Sequence, residues 1–367
     1  MTEWSTQQQA ALQGVDEWLR YSVRPTFYLA GYAGTGKTTL AREVADMVPG
    51  RVLFAAYTGK AAAVLRSKGC DGASTLHSLI YKRSEDVFGN VTWSPNPLSD
   101  LRGASLLILD ECSMVGAQLA RDVLAFGTPV LVLGDPAQLP PVDGAGYFTA
   151  REPDYLLTEV HRQAEDDPIL RLATAVRQGR AVPARDEGGL RFLDARDIAA
   201  EELPILAGAA QIIAGTNRNR ARVNAIYRDH YGHASPYPKH GETVVVLRNS
   251  PDYGVANGEQ LQCAGSACEI RRDDWRLSLL SPDGRHLPAV PVELCADATA
   301  ARRVGRKRVP IDYGYCLTVH KAQGSEWEEV LVWDDGFGAW DPPLRQRWLY
   351  TAFTRARTGL TIVQRAA

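Results

Sequence analysis

The residues best suited to chemistry form one octapeptide near the N-terminus, Gly31-Tyr32-Ala33-Gly34-Thr35-Gly36-Lys37-Thr38. An apolar run precedes it and a helical pattern follows, which is the setting of a phosphate-binding loop. Glycines let backbone N–H groups wrap around phosphates, and the N-terminus of the following helix adds a positive field. We expect Lys37 to reach the β- and γ-phosphates of a nucleotide and Thr38 to place its hydroxyl on Mg²⁺. The alternative is a glycine-rich turn that matches by chance.

Two further polar segments follow apolar runs, as a nucleotide site requires. Asp110 and Glu111 come directly after residues 106–109, where Asp110 could hold the metal and Glu111 could orient or deprotonate the attacking water. Gln138 follows the next apolar run and is a candidate sensor of the γ-phosphate. The alternatives are a solvated strand end for the acidic pair and a rigid proline-rich loop for the segment around Gln138.

The second half of the chain holds three blocks that mix basic and polar residues, at 159–163, 318–326 and 350–357. Arg162 and Arg355 lie in the first and third of these blocks. Arginines on a second domain could close onto the phosphates and stabilise charge in the transition state. The alternative for each is an ordinary surface arginine.

The predicted elements that must position these residues change in character along the chain. Apolar runs at 27–30, 51–56, 106–109 and 130–133 alternate with helical patterns, which favours βαβ units around a parallel sheet. An amphipathic helix is predicted at 167–178, and another strand at 211–214. From about Pro236 to Pro310, short strand-like stretches separated by Gly, Pro and Asp predict a small all-β module inserted into a second α/β domain.

Length and composition are those of a soluble enzyme. A chain of 367 residues, 45% hydrophobic and 23% charged, fits two domains and an insertion. The formal net charge of −2 does not indicate a polyanion partner, so any nucleic-acid surface must be local. The six cysteines include no C-x-x-C pair, which predicts free thiols in a reducing compartment. Without a signal-like or membrane-spanning apolar run, we expect a cytoplasmic protein.

Taken in order, these blocks resemble superfamily 1 DNA helicases of the B subgroup, which are RecD- and Dda-like. The matching motifs extend from Gln8 to Arg357 and so cover nearly the whole chain. The combination of G-D-P-x-Q-L-P-P, V-H-K-A-Q-G-S-E and T-R-A-R is far more specific than any single block.

The resemblance implies an α/β fold with two RecA-like P-loop NTPase domains and ATP in the cleft between them. The first domain would cover residues 1–158, with a short pin-like insertion at about 80–104. The second would cover 159–235 plus 311–367, and a small all-β, SH3-like insertion would occupy 236–310.

The resemblance also assigns roles to individual residues. Gln8 would read the adenine edge, with the register against Gln7 or Gln9 left open. Arg162 and Arg355 would be the two arginine fingers, and the other catalytic residues would be Lys37, Asp110, Glu111 and Gln138. The remaining nucleotide contacts would come from Gly34, Thr35, Gly36, Thr38, Thr39, Gly324 and Glu326, with Thr38 and Asp110 on Mg²⁺. The single-strand groove would be lined by Thr58, Lys60, Thr75, His77, Thr216, Asn217, Thr318 and His320. For His77 a packed or capping histidine is the alternative.

The implied activity is that of an ATP-dependent DNA helicase that moves 5′ to 3′ along single-stranded DNA and acts on forked duplexes in repair, replication or recombination. The region of the strand-separating pin is short, and Phe88 and Trp93 could be wedge aromatics or packed residues. A translocase that does not unwind duplexes is therefore an alternative. A regulatory module with a dead NTPase is a second alternative, but the complete catalytic set argues against it.

The densest basic run in the sequence consists of Arg302, Arg303, Arg306, Lys307 and Arg308. It could be a solvated flexible loop, or it could touch the DNA backbone beside the β module. The residues alone leave both interpretations open.

Overall fold

The computed structural model describes residues 4–85, 91–140, 146–160, 166–180, 185–271, 274–281, 284–334 and 341–364. The chain divides into two compact units, Met1–Leu170 and Arg171–Ala367. The α-helices in the described ranges are α1 (Thr6–Tyr21), α2 (Lys37–Met47), α3 (Gly59–Ser67), α4 (Leu76–Ile80), α5 (Ala117–Leu124), α6 (Pro168–Arg177), α7 (Leu203–Ala207), α8 (Asn217–His230), α9 (Ala298–Arg303), α10 (Val319–Ala322) and α11 (Pro342–Phe353).

The strands in the same ranges are β1 (Thr26–Gly31), β2 (Val52–Ala56), β3 (Ser74–Thr75), β4 (Tyr81–Glu85), β5 (Val91–Pro95), β6 (Leu106–Asp110), β7 (Val130–Gly134), β8 (Tyr155–Leu157), β9 (Leu190–Asp194), β10 (Gln211–Ala214), β11 (Thr243–Val246), β12 (Gln260–Cys263), β13 (Cys268–Arg271), β14 (Asp274–Leu280), β15 (His286–Leu294), β16 (Val309–Tyr313), β17 (Cys316–Thr318), β18 (Trp327–Trp333) and β19 (Ala356–Gln364). Short 3₁₀ helices lie at Cys112–Met114, Ala200–Glu202 and Pro251–Tyr253.

A parallel sheet in the order β3-β2-β6-β7-β1-β8 forms the frame of the first unit. Its central strands are unbroken apolar runs because helices cover both faces. Alternate side chains of β6 point to opposite faces: Leu106 and Ile108 pack with α1 and α2, whereas Leu107 and Leu109 pack with α5. The four strands predicted in this half are confirmed.

An antiparallel hairpin, β4 with β5, occupies the segment predicted as a pin-like insertion. Tyr81 pairs with Pro95 at its base, and Glu85 pairs with Val91 at its outer end. Trp93 lies on β5, and Phe88 lies outside the described residues.

The second unit contains a parallel sheet in the order β17-β10-β18-β19-β9. Ile212 and Ala214 of β10 pack with Val223 and Tyr227 of α8, which places α8 against one face of the sheet. The strand predicted at 211–214 and the helix predicted near 167–178 are both confirmed, the latter as α6 with its predicted apolar face buried.

A third sheet, in the order β12-β11-β16-β15-β14-β13, arises from the segment that follows Pro236. Its core consists of alternate strand residues such as Val244, Leu277 and Val292. One helix, α9, falls inside this segment, where the sequence predicts only strands. It is present because β15 and β16 pair in parallel, and a parallel pair needs a crossover connection rather than a tight turn.

A buried ion pair ties this sheet to α8. Arg228 donates from Nη1 to both carboxylate oxygens of Glu242, at 2.7 and 2.8 Å, and its guanidinium lies 4.2 Å from the ring centroid of Tyr313. Tyr315 donates its hydroxyl to the same carboxylate at 2.8 Å. Because each charge is hydrogen-bonded as well as paired, the cluster can stay buried and fix the end of α8 against β11 and β16.

No helix in the described part of the chain is both long and apolar enough to cross a membrane.

Candidate nucleotide site and nucleic-acid-facing residues

The predicted site residues of the first unit lie at one edge of its sheet. Strands β1, β2, β3, β6 and β7 run in parallel, so the segments that follow their carboxyl ends meet along the same edge. Those segments are the phosphate loop, the segment of Thr58 and Lys60, the segment of Thr75 and His77, the acidic pair, and the segment of Gln138. Open parallel sheets bind ligands at this edge.

The phosphate loop has the tight backbone that its glycines predict. Gly36 adopts φ +78° at the N-cap of α2, a conformation that residues with a Cβ rarely adopt. A Cβ on Gly31 would lie 2.7 Å from Thr35 Oγ1 and 3.0 Å from Lys37 Cγ, so only glycine fits there. Lys37 Nζ donates to the carbonyl oxygens of Gly31 at 2.5 Å and Tyr32 at 3.0 Å. The ammonium therefore lies over the mouth of the loop, where phosphate oxygens can replace the two carbonyls.

The acidic pair is held in an unusual backbone conformation. Asp110 ends β6, and its Oδ1 accepts from the backbone N–H of Glu111 at 2.8 Å. Glu111 adopts φ +52° and ψ +44°, which costs a residue with a Cβ about 1–2 kcal/mol. Strain of this kind persists where the surrounding structure requires it. The adjacent buried Cys112 donates its thiol to the carbonyl of Leu133 at 2.9 Å and so secures the pair against β7. The sequence analysis missed this role of Cys112.

An aspartate turn positions Gln138. Asp135 Oδ1 accepts from the N–H of Ala137 at 2.9 Å, and the carbonyl of Asp135 accepts from the N–H of Gln138 at 3.2 Å. The side chain of Gln138 is half-buried at the carboxyl end of β7. Its position beside the acidic segment suits a sensor of the γ-phosphate.

The three consecutive glutamines of α1 make different contacts. Gln8 is buried, accepts from the N–H of Ser5 at 3.1 Å and donates to the carbonyl of Thr35 in the phosphate loop at 3.2 Å. Gln7 instead accepts from the N–H groups of Thr158 and Glu159, at 2.7 and 2.9 Å. Gln9 donates to the carbonyl of Trp4. Of the three, Gln8 contacts the phosphate loop, and Gln7 holds the segment that leads to Arg162, a role that the sequence did not reveal.

The predicted groove residues of the first unit begin helices. Thr58 and Thr75 are the N-caps of α3 and α4, and their hydroxyls accept from the N–H groups of Ala61 at 3.2 Å and Ser78 at 3.1 Å. His77 packs between two tyrosines, with ring centroids 6.5 Å from Tyr57 and 5.4 Å from Tyr81. Burial lowers the pKa of His77, so the ring is neutral at pH 7. His77 is therefore packed, as the alternative proposed, while remaining half-buried.

In the second unit the predicted site residues fall into two groups at opposite edges of the sheet. Thr216 and Asn217 follow the carboxyl end of β10, and Thr318 and His320 lie at the carboxyl end of the neighbouring β17. Asn217 is exposed, and burial lowers the pKa of His320. These four residues, predicted to face nucleic acid, therefore share one edge.

The predicted nucleotide contacts of this unit lie at the amino end of β18 and β19. Arg355 is buried and donates to the carbonyls of Thr351 at 3.0 Å and Ser325 at 3.1 Å, and to the hydroxyl of Thr354 at 3.1 Å. Since Ser325 lies between Gly324 and Glu326, the guanidinium holds the loop that contains both of them. Three of the five guanidinium donors take part in these bonds. Arg162 lies outside the described residues.

A buried cationic pair next to the groove residues was not predicted. Arg220, one turn after Asn217, forms an ion pair with Asp312 and donates to the carbonyl of Ala296. Nearby, the ammonium of Lys321 has no hydrogen-bond acceptor among the described residues. Burial, and secondarily the positive charge of Arg220, lower the pKa of Lys321 to about 8, while Asp297 acts in the opposite direction.

Replacing Lys321 by methionine should stabilise the fold in a pH-dependent way. A lysine in the unfolded chain keeps its proton up to about pH 10.4, so the burial penalty is fully present below about pH 8 and disappears as the pH rises towards 10.4. Lys321→Met should therefore raise the free energy of unfolding by on the order of 2 kcal/mol at pH 7, and by much less near pH 10. Urea unfolding at several pH values measures this, with the exposed Lys68→Met as control. An advantage of Lys321→Met that stayed constant with pH would contradict the prediction.

Two sequence-family models match the chain. Residues 4–198 match the model described as AAA domain, and residues 313–363 match the model described as UvrD-like helicase C-terminal domain. The AAA model therefore covers more than half of the chain, including the phosphate loop, the acidic pair and Gln138.

Several relatives share this pattern. The chain is 32% identical over 349 residues to the ATP-dependent RecD2 DNA helicase of Deinococcus radiodurans, covering 90% of this chain but 45% of that protein. It is 23% identical over 383 residues to the ATP-dependent DNA helicase Pif1 of Bdellovibrio bacteriovorus, covering 90% and 82% of the two chains. It thus spans less than half the length of the RecD2 helicase.

A solved structure shares the fold. The crystal structure of Bacteroides Pif1 bound to ssDNA superposes with a TM-score of 0.56 at 19% identity, over 100% of this chain and 93% of that one. Together with the sequence matches, this confirms the resemblance to superfamily 1 helicases of the B subgroup and a mixed α/β fold with RecA-like P-loop domains. The chain belongs to the AAA domain family, and within that family it resembles the RecD2 and Pif1 helicases.

Proposed function

We propose that this chain is an ATP-dependent DNA helicase that moves along single-stranded DNA from 5′ to 3′. The observation that carries the proposal is the arrangement at the carboxyl edge of the first sheet. There the phosphate loop and the acidic pair lie in line with the capped segments of Thr58 and Thr75. Under this proposal, nucleotide chemistry and a polar single-strand track would share this edge of the sheet. RecD2 and Pif1, whose sequences this chain resembles, are both named ATP-dependent DNA helicases.

The residues of the first unit suit the binding and hydrolysis of ATP. Backbone amides of Gly34, Thr35 and Gly36 would cradle the phosphates, and Lys37 would exchange its two carbonyl partners for phosphate oxygens. Thr38 and Asp110, a hydroxyl and a carboxylate, form a donor set that suits Mg²⁺, which would neutralise phosphate charge when bound. Gln8 would contact the adenine edge, and Thr39 follows on the same helix.

Glu111 would act on the attacking water, aligned by Gln138. The strained backbone of Glu111 supports this role, because such strain is concentrated at functional sites. Arg162 and Arg355, with Gly324 and Glu326, would complete the nucleotide site from the second domain.

The two units would correspond to two RecA-like domains, at 1–158 and at 159–235 plus 311–367, with an SH3-like insertion at 236–310. The mixed third sheet supports a distinct inserted module. Its strand β16 extends to Tyr313, and α9 lies within it.

Single-stranded DNA would contact the polar carboxyl edge of the first sheet through Thr58, Lys60, Thr75 and His77, and that of the second unit's sheet through Thr216, Asn217, Thr318 and His320. Hydroxyl and amide groups suit phosphate and sugar contacts that ignore base sequence. Forked duplex DNA would be the substrate for unwinding.

The hairpin of β4 and β5 favours unwinding over translocation alone. It projects from the same unit directly after α4, where a strand-separating pin is expected. A translocase that does not unwind duplexes is the alternative that the shortness of this hairpin leaves open.

The test of the proposal is ATP turnover with single-stranded DNA, RNA and blunt duplex, followed by unwinding of forks that carry a 5′ or a 3′ tail. We expect the strongest stimulation by single-stranded DNA and unwinding of the fork with the 5′ tail. Stimulation by DNA without unwinding would support the translocase, and stimulation by RNA alone would contradict a DNA motor.

Replacing Glu111 by glutamine should lower kcat by roughly 10²–10⁴-fold while ATP and Mg²⁺ still bind, because the amide cannot accept a proton from water. Single-turnover hydrolysis and equilibrium binding of a fluorescent ATP analogue measure the two effects. Glu111→Gly should be equally inactive but about 1 kcal/mol more stable, since glycine relieves the positive φ. A collapse of nucleotide affinity in Glu111→Gln would instead make Glu111 a metal ligand or a structural residue.

A further inference from the structure

The basic run that the sequence analysis singled out lies at the end of α9 and in the loop that follows it. We call residues 302–308 the basic loop. The side chains of Arg302, Arg303, Arg306 and Lys307 are exposed, and Arg308 is half-buried. Val304, which lies between these charged residues, is buried together with Ala301 of α9. Both pack against Val245 of β11 and against Leu247, the residue that follows β11.

The side chain of Arg248 holds the backbone of the basic loop in place. Arg248 donates to the carbonyls of Ala301 and Val304, at 3.2 and 2.7 Å, and to those of Gly305 and Arg308, both at 3.2 Å. The hydroxyl of Tyr253 donates to the carbonyl of Lys307 at 3.1 Å. The carbonyls that the end of a helix leaves without partners are thus bonded to side chains rather than to water. Such a loop has a defined shape, which a solvated flexible loop lacks.

Arg308 of the basic loop pairs with Glu293 at 3.4 Å, but three other charges of the loop differ from the arginines elsewhere on the same module. Arg285 pairs with Glu259 at 2.8 Å, and Arg276 pairs with Asp274 at 3.4 Å. By contrast, within the described ranges no carboxylate lies within ion-pair distance of Arg302, Arg303 or Lys307. Positive charge that is left without carboxylates, on a scaffolded loop, is the electrostatic signature of a polyanion contact.

The basic loop lies next to the predicted single-strand groove of the second unit. Ala301 and Val304 pack in one cluster with Leu317, the residue directly before Thr318. The segment before α9 is bonded to Arg220, which lies one turn after Asn217. Two independent contacts therefore connect the basic loop to the two segments predicted to line the groove.

We propose that Arg302, Arg303 and Lys307 bind phosphates of single-stranded DNA that continues beyond Thr318 and His320, an inference that rests on the proposed function. Guanidinium and ammonium groups contact phosphates of the nucleic-acid backbone through their charge, and such contacts carry no sequence preference. The contact lengthens the single-strand site beyond the groove itself.

The test is the salt dependence of oligo(dT) binding by fluorescence anisotropy, with the full chain throughout. Arg302→Ser combined with Arg303→Ser should flatten the log–log slope by about 1.4, and Lys307→Ser alone by about 0.7, since each lost phosphate contact removes roughly 0.7. The matched control, Arg276→Ser with Arg285→Ser, removes the same charge from the same module and should leave the slope unchanged. Arg302→Lys with Arg303→Lys keeps the charge and should keep the slope.

Four outcomes separate the possibilities. An unchanged slope in the double serine variant, with a normal thermal melt, would overturn the proposal. A flattening of equal size in the control variant would also overturn the proposal, because the slope would then depend on the net charge of the module and not on this loop. Loss of binding to phosphatidylserine vesicles without loss of DNA binding would assign the loop to a membrane instead. If the wild type itself fails to bind oligo(dT), the proposed function fails rather than the role of this loop.

Discussion

Replacing Lys37 by alanine is expected to abolish ATP turnover, with a loss of at least about 10³-fold. Under the proposed function Lys37 would supply the main positive charge facing the β- and γ-phosphates, and removing one preorganised charge or donor from a developing oxyanion costs on the order of 10²–10³-fold. The ammonium lies over the loop through its bonds to Gly31 and Tyr32, so little reorganisation is needed to reach phosphate. Steady-state release of phosphate, with and without single-stranded DNA, measures the loss.

The matched control for Lys37 is Arg42→Ala, which removes an equal charge from the exposed face of the same helix. It should hydrolyse ATP at close to the wild-type rate. The melting temperature of Lys37→Ala should fall only slightly, because its two hydrogen bonds are partly exposed. Substantial hydrolysis in Lys37→Ala would overturn the assignment of the phosphate loop.

Replacing Arg355 by alanine is expected to lower kcat by on the order of 10³-fold, with a much smaller change in KM for ATP. An arginine that meets the γ-phosphate only in the closed state contributes mainly in the transition state. Stepping along DNA and the 5′ to 3′ polarity should disappear with hydrolysis, while binding of single-stranded DNA without nucleotide persists. Steady-state ATPase with saturating single-stranded DNA measures both constants.

The buried position of Arg355 adds a second expected effect, on stability. Alanine would leave the carbonyl of Ser325 without its donor, which costs about 1–3 kcal/mol for a buried group left unsatisfied, whereas the carbonyl of Thr351 keeps the hydroxyl of Thr354 as a donor. A lower melting temperature alone therefore does not distinguish a finger from a residue that merely holds the loop of Gly324 and Glu326. The distinction rests on kcat measured well below the melting temperature of the variant.

Thr354→Val is the matched control for Arg355, because it keeps the guanidinium and removes the hydroxyl that accepts from Arg355 Nη2 and donates to the carbonyl of Thr351. It should lower the melting temperature modestly and leave kcat near the wild-type value. If Arg355→Ala also hydrolysed ATP at near the wild-type rate below its melting temperature, Arg355 would be structural only, and the finger role would fall to Arg162.

Features that depend on neighbouring residues could be predicted from the sequence. The phosphate loop is one, because its glycines, Lys37 and Thr38 act within eight consecutive positions and need only a strand before and a helix after. Four strands of the first parallel sheet and β10 of the second are another, since burial on two faces demands an unbroken apolar run such as residues 106–109. Asp110 and Glu111 follow from that strand, because the carboxyl ends of parallel strands meet at one edge.

Other features depended on segments far apart in the chain. Gln7, Gln8 and Gln9 have identical side chains, but successive residues on a helix point about 100° apart. Packing in the folded chain therefore decided which of the three contacts the phosphate loop. The presence of α9 followed from the parallel pairing of β15 with β16, which no local pattern encodes.

The sequence by itself thus determined the order of the motifs and the parallel α/β architecture and predicted the chemistry, because all three depend on short-range spacing and periodicity. Tertiary structure alone decided which polar groups are satisfied and how charges are displayed. In the folded chain Arg355 is buried and donates to two carbonyls, and Arg220 lies near Lys321. Arg248 binds the backbone of the basic loop, more than fifty residues away in the sequence. The physical reason is that a buried donor or charge must find its partner wherever the fold supplies one, and that partner is set by packing rather than by neighbours in the chain.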